Sequence, residues 1–106
     1  MSYKFHHLEE KAKNLHQKLM ENQQIERIFD VMPFQRFGTF CSLIYKDCID
    51  EKANKIVIFA DDNYYKVILY NHKCQILYTQ KVYEEYNIVS LIVFLYQSQP
   101  SISFSF

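Results

Sequence analysis

The chain has 106 residues, a length that predicts one domain spanning residues 1–106. Its apolar fraction is 49%, with nine Tyr and nine Phe, so the chain can bury a core despite its size. Twelve basic and twelve acidic side chains cancel, which argues against a general nucleic-acid binder, because such a protein needs a basic surface. The single glycine excludes Gly-rich phosphate-binding loops, and we expect no cofactor.

The cysteines and the N-terminus indicate the compartment. Cys41, Cys48 and Cys74 are odd in number and form no CxxC pair, which predicts free thiols in a reducing cytoplasm. The first 22 residues are charged throughout and do not resemble a signal peptide. The apolar run 88–96 is shorter than the roughly 20 residues that a membrane span needs, so we expect no membrane association.

Two N-terminal helices are predicted from apolar periodicity. Over residues 4–20, apolar side chains recur at steps of three and four: Leu8, Ala12, Leu15 and Leu19. Over residues 22–32, a second stripe has the same spacing: Ile25, Ile28, Phe29 and Met32. Pro33 ends the second helix, because proline disfavours an α conformation at the residue before it.

From residue 37 onward the composition favours strands. Five segments are rich in Val, Ile, Tyr and Phe: 37–46, 54–60, 64–70, 74–80 and 88–96. The connections between them are too short for parallel crossovers and indicate an antiparallel meander. Segment 88–96 has no polar period and is also compatible with a helix, although Ile and Val favour a strand. The tail 97–106 is either a frayed end or an edge strand.

The predicted fold class is therefore α+β, with two N-terminal helices packed on a five-stranded antiparallel sheet.

The sequence contains only weak signals of catalysis. Adjacent His6 and His7 point in different directions on a helix, and His16 and His72 are far from them, so we expect four solvated histidines and no metal site. Asp61–Asp62 is typical of a turn. We expect no enzyme, and the remaining catalytic alternative is a small enzyme that uses Cys41 or Cys48.

The second predicted helix carries the candidate binding site. Glu26 and Asp30 are four residues apart and would share one helix face, with Glu21 just before the helix begins. Carboxylates at a helix start also suit the helix dipole, and the apolar stripe beside them is equally compatible with core packing. The alternative is a recognition surface in which carboxylates occupy the places of phosphates.

Two stretches resemble a known family. Glu21, Ile25, Glu26, Ile28, Asp30 and Pro33, followed by 36–38 (Arg-Phe-Gly), are similar to the pattern of the staphylococcal-type uracil-DNA glycosylase inhibitors. Residues 66–77 resemble that family's Phe-Ile-Leu-Tyr-Tyr hairpin, so that the likeness extends from Glu21 to Leu77. These inhibitors are small DNA mimics encoded on mobile elements, with two helices and a five-stranded antiparallel sheet.

The resemblance implies a function and a set of residues. The glycosylase binds phosphates in a basic cleft and inserts an apolar side chain into the base stack while it flips uracil out. By position, Glu21 would be the principal phosphate surrogate, followed by Glu26 and Asp30. The pocket for the intercalating side chain would be lined by Ile25, Phe29, Met32, Val67 and Leu69, the last two assigned by strand alternation. The expected partner is uracil-DNA glycosylase, bound by a monomer in a 1:1 complex without direct contact to nucleic acid.

The chain departs from the family in its charge. The family is acidic and this chain is neutral, Arg27 lies where an acidic residue is usual, and Lys66 and Lys73 lie near the hairpin. One alternative is a protein-interaction module of a mobile element that blocks a different host or defence enzyme. Another is a homo-oligomeric structural protein that associates through the tail or the last strand.

Overall fold

The computed structural model describes residues 3–46 and 53–98, with side chains described from His6 onward except that of Ala53. Three helices and five strands follow one another along this part of the chain: α1 (Tyr3–Glu21), α2 (Gln23–Ile28), β1 (Phe29–Val31), β2 (Phe40–Tyr45), β3 (Ala53–Ala60), β4 (Tyr65–Asn71), β5 (Ile76–Val82) and α3 (Asn87–Gln97). The predictions for Cys48 and for residues 99–106 fall outside the described residues.

The sheet is an antiparallel meander in the order β1-β2-β3-β4-β5, which confirms the predicted α+β class. Side chains alternate between two faces, as the pleat of a strand requires. The inner face holds fully buried residues from each central strand, among them Leu43, Ile58 and Leu69. Short connections join β3 to β4 and β4 to β5, and Asn71 organises the β4–β5 turn by accepting hydrogen bonds from the backbone of Lys73 and Gln75, at 2.9 Å each.

The described helices contribute to one core on the inner face. Buried residues of α1 recur at helical spacing as predicted: Leu8, Ala12, Leu15 and Leu19. From α3, Ile88, Ile92 and Leu95 join the same cluster, together with Ile25 of α2. Burial of this apolar surface is the main source of stability in a domain of this size. No described helix is long and apolar enough to cross a membrane.

The prediction of one helix over 22–32 is wrong in its second half. Helix α2 ends at Ile28, and Phe29 adopts extended angles (φ −132°, ψ 152°) as the first residue of β1. Strand β1 pairs with β2 through Phe29–Tyr45, Asp30–Ile44 and Val31–Leu43. The restriction that Pro33 imposes on its neighbour, and the β-branched Val31, favour the extended chain once β2 offers hydrogen bonds.

The prediction of a strand over 88–96 is also wrong, because this segment is helix α3. Its buried residues Ile88, Ile92 and Leu95 follow the i, i+4, i+7 spacing of one helix face. Because the other faces of this helix are also apolar, no helical period is visible in the sequence, and the strand preference of Ile and Val decided the prediction. The sheet still has five strands, because β1 takes the place of the predicted fifth strand.

The predicted strand 37–46 begins three residues later, at Phe40, because a tight turn precedes it. Gly38 donates its backbone N–H to the Gln35 carbonyl at 2.8 Å, and a Cβ at this position would lie 2.9 Å from that oxygen. Phe37 in the same turn has a φ of 64°, the left-handed region. Its backbone N–H donates to the Glu9 carboxylate at 2.7 Å, which ties the turn to α1.

Candidate partner-binding site

The candidate site lies where α1 gives way to α2 and β1. Asn22 is the N-cap of α2, and its side-chain oxygen accepts a hydrogen bond from the Ile25 N–H at 3.0 Å. Helix α2 has only six residues, so its position depends on this cap and on the complete burial of Ile25 rather than on intrinsic helix stability. The chain then passes directly into β1, which fixes the positions of the acidic residues.

Glu26 and Asp30 flank one shallow cavity of about 200 Å³. Both side chains are exposed, Glu26 from the first turn of α2 and Asp30 from β1. The predicted common helix face does not exist, because α2 ends before Asp30. The two residues nevertheless border the same cavity, whose lining also includes apolar atoms of Met20, Phe29 and Val31.

Lys46 completes the lining of this cavity and moderates its charge. Its ammonium group donates a hydrogen bond to the Glu26 carbonyl oxygen at 2.5 Å and lies 4.0 Å from the Asp30 carboxylate. The Asp30 and Lys46 side chains are 59% and 38% exposed, so their pairing is weak and is screened by solvent. The cavity is therefore bordered by two acidic residues, one lysine and three apolar residues.

Glu21 lies outside the lining of this cavity. It is the last residue of α1, is exposed, and accepts a hydrogen bond from the Gln17 side chain at 2.6 Å. A carboxylate in the last turn of a helix opposes the helix dipole. Glu21 therefore has no stabilising role at the end of α1 comparable to that of Glu26 in the first turn of α2.

The predicted apolar pocket is mostly closed core. Ile25, Phe29, Val67 and Leu69 are at most 1% exposed and belong to the central cluster. Phe29 packs edge-on against Tyr45, with ring centroids 5.0 Å apart, and this packing leaves only part of Phe29 at the cavity. Of the five predicted pocket residues, Phe29 alone borders the acidic cavity.

Met32 lines a different cavity, of about 360 Å³, between α1 and the start of β2. His16 also borders it and, contrary to the expectation of a solvated histidine, is buried, with Nε2 2.9 Å from the Met32 carbonyl oxygen. Cys41 is buried there as well, and its Sγ donates to the Ala12 carbonyl at 3.3 Å. Burial raises the pKa of Cys41 to about 12, so its thiol is protonated at neutral pH and is a poor nucleophile.

Glu85 links the start of α3 to α1 and β4. Its carboxylate accepts a hydrogen bond from the Tyr65 hydroxyl at 2.8 Å and pairs with Lys18. Burial opposes ionisation of Glu85, but the hydrogen bonds from Lys18 and Tyr65 outweigh it and lower its pKa. Burial and the hydrogen bond to Glu85 raise the pKa of Tyr65, so this cluster is structural at neutral pH.

No group of three or more potential metal ligands occurs within the described part of the chain. No protein family, curated protein or solved structure matches this chain.

Three cavity residues were absent from the sequence-based prediction: Met20, Val31 and Lys46. Lys46 follows β2 directly and reaches the site because β2 pairs with β1, a strand that the helical stripe concealed. An exposed apolar residue such as Met20 in the last turn of an amphipathic helix can indicate a binding surface. It indicates this cavity only when the position of β1 beside it is known.

Proposed function

We propose that this chain is a stoichiometric protein inhibitor of uracil-DNA glycosylase that acts by DNA mimicry, without catalysis and in the cytoplasm. In this proposal Glu26 and Asp30 take the places of DNA phosphates in the basic cleft of the enzyme, and Glu21 adds a third carboxylate. The cavity that they flank receives the apolar side chain that the enzyme otherwise inserts into the base stack.

One observation carries the proposal: two exposed carboxylates border the same 200 Å³ cavity as the apolar atoms of Met20, Phe29 and Val31. A DNA mimic for a base-flipping enzyme needs both features side by side, because the enzyme presents cationic groups around one apolar side chain. Charge pairs at such an interface couple by about 1.5–7 kcal/mol, and a filled apolar pocket adds to this.

The test is an inhibition titration of uracil excision from a duplex, with the chain in excess over the glycosylase. Glu26→Gln, Asp30→Asn and Glu21→Ala should each weaken inhibition by tenfold or more, about 1.4 kcal/mol, while the fold is retained because all three side chains are exposed. Glu10→Gln removes the same charge from an exposed position of α1 eleven residues before Glu21, and it should leave inhibition unchanged.

Lys46 gives the test a second direction. Because its ammonium group lies in the cavity, Lys46→Met should strengthen inhibition by removing positive charge that faces a basic cleft. Weaker inhibition by Lys46→Met, or an effect of Glu10→Gln equal to those of the cavity variants, would contradict the proposed geometry.

Lys46 is also the observation that favours the second candidate, a module that blocks a different host or defence enzyme. A cavity with both signs of charge fits a partner surface that itself carries both signs. In this case the glycosylase is unaffected, and a partner captured by the wild-type chain is lost with both Asp30→Asn and Lys46→Met.

A further inference from the structure

The outer face of the sheet has an organisation that the acidic cavity does not use. The described helices pack on the inner face: Ala12 accepts a hydrogen bond from Cys41, Ile25 lies in the inner cluster, and Tyr96 of α3 stacks near Tyr45, with ring centroids 5.5 Å apart. Within residues 3–46 and 53–98, no helix therefore covers the opposite face of β2–β5.

Aromatic and basic side chains form a continuous row across this outer face. Phe40 of β2 lies opposite Phe59 of β3. Phe59 in turn lies opposite Lys66 of β4, and Lys66 lies opposite Lys81 of β5. The row spans four strands, about 14 Å at the usual strand spacing. The rings of Phe40 and Phe59 are half-buried with centroids 5.6 Å apart, and both lysines are exposed.

A second row also places a lysine beside an aromatic ring. Ile44 pairs with Lys55, and Lys55 pairs with Tyr70, over whose ring the ammonium group lies at 5.3 Å from the centroid. Between the two rows, Val57 and Ile68 are buried and form an apolar floor. The outer face thus presents rings flanked by ammonium groups.

Within β2–β5 the charged side chains are all of one sign. Strands β2–β5 contain three lysines, Lys55, Lys66 and Lys81, and no Asp or Glu. All three lysines lie on outward-facing register positions, and Asp30 on β1 marks one margin of the face. The neutral net charge of the chain does not describe these four strands, because lysine is the only charged residue type in them.

Fold stability does not explain the basic row. Lys66 and Lys81 are direct register partners on adjacent strands, and like charges in this position destabilise a sheet. Lys81 lies over the Tyr64 ring, 4.7 Å from its centroid. An anionic ligand removes the repulsion, and rings beside the ammonium groups suit a ligand with planar bases.

We propose that the outer face of β2–β5 binds single-stranded DNA, with bases stacked on Phe40, Phe59 and Tyr70 and phosphates paired with Lys55, Lys66 and Lys81. Open sheets bind single strands in this way, because stacking tolerates every base and lysines follow the backbone. Stacking and phosphate pairing require no ribose 2′-hydroxyl, so a DNA strand can make both kinds of contact with this face. This surface adjoins the acidic cavity only at Asp30, the register partner of Ile44, and the inference does not depend on the proposed inhibition.

The experiment is fluorescence anisotropy of a labelled oligothymidylate with the full chain, over a series of salt concentrations. Because each phosphate contact contributes about 0.7 to the slope of log affinity against log salt, Lys66→Ala and Lys81→Ala should each reduce that slope by about 0.7. Phe59→Leu should weaken binding roughly 5- to 150-fold, the effect of losing one stacked base. Lys66→Ala should not lower the melting temperature, since it removes a like-charge contact.

Matched controls come from the helices. Lys13→Ala and Phe94→Leu change exposed residues of α1 and α3 in the same way and should leave DNA affinity and salt slope unchanged. Equal effects of these controls would overturn the proposal. So would no anisotropy change at roughly 100 µM protein in about 50 mM salt, or tighter binding of duplex or of single-stranded RNA. Self-association that depends on Phe59, without DNA binding, would identify the face as a contact between copies and would also overturn it.

Discussion

Replacement of Glu85 by alanine should destabilise the domain by about 2–3 kcal/mol. The Tyr65 hydroxyl, on a side chain only 4% exposed, donates to the Glu85 carboxylate at 2.8 Å. A hydrogen bond to a charged group contributes about 1.5–3 kcal/mol, and its loss leaves a poorly hydrated donor. The pair with Lys18 adds only about 0.2–1 kcal/mol, because the Lys18 side chain is 66% exposed and solvent screens it.

The assay is urea unfolding followed by circular dichroism, with Glu84→Ala as the control. Glu84 precedes Glu85 and is exposed, so its loss should change the free energy of unfolding by less than about 0.5 kcal/mol. Tyr65→Phe removes the same hydrogen bond from the other side. The double variant should therefore cost less than the sum of the two single variants.

The pH dependence of the unfolding free energy tests whether the ionised form of Glu85 is the stabilising one. The pKa of Glu85 is lower in the folded chain than its ordinary value of 4.5, so its ionised form stabilises the fold above that pH. This stabilisation is lost as the pH falls through the folded-state pKa, and the curves of wild type and Glu85→Ala should converge in acid. A loss below about 0.5 kcal/mol at pH 7, or a constant difference down to acid pH, would refute the role assigned to the carboxylate.

Two further predictions concern Cys41 and Phe37. In a Cys48→Ser background, a thiol reagent at pH 8 should modify exposed Cys74 rapidly and buried Cys41 only at the rate of unfolding. Mass spectrometry follows both reactions, and rapid modification of both cysteines would contradict the burial and raised pKa of Cys41. Phe37→Asn should raise the free energy of unfolding by up to about 1 kcal/mol, because asparagine adopts left-handed backbone angles more readily than phenylalanine. A lower melting temperature of this variant would contradict the prediction and show that contacts of the Phe37 ring outweigh its backbone strain.

Periodicity was sufficient for most of the fold. The α1 stripe predicted the buried side chains of that helix, and the alternation in β4 predicted the burial of Val67 and Leu69. The prediction for segment 88–96 was wrong because nearly all of its residues are apolar, so a buried helix and a buried strand have the same sequence pattern. Only the packing of Ile88, Ile92 and Leu95 on the inner face distinguishes the two.

The candidate site was predicted in part. Glu26 and Asp30 border the same cavity, but not on the common helix face that was predicted, since Asp30 belongs to β1 and not to α2. The position of Lys46 depends on pairing between β1 and β2, a non-local contact that local patterns do not contain. His16 was expected in solvent because the sequence does not show that residues 32–34 fold back over α1.

Whether the chain inhibits a uracil-DNA glycosylase is decided by measuring uracil excision with and without it. We expect stoichiometric loss of excision, with weaker inhibition by Glu26→Gln and Asp30→Asn and unchanged inhibition by Glu10→Gln. Undiminished excision in the presence of a micromolar excess of folded wild-type chain would contradict it.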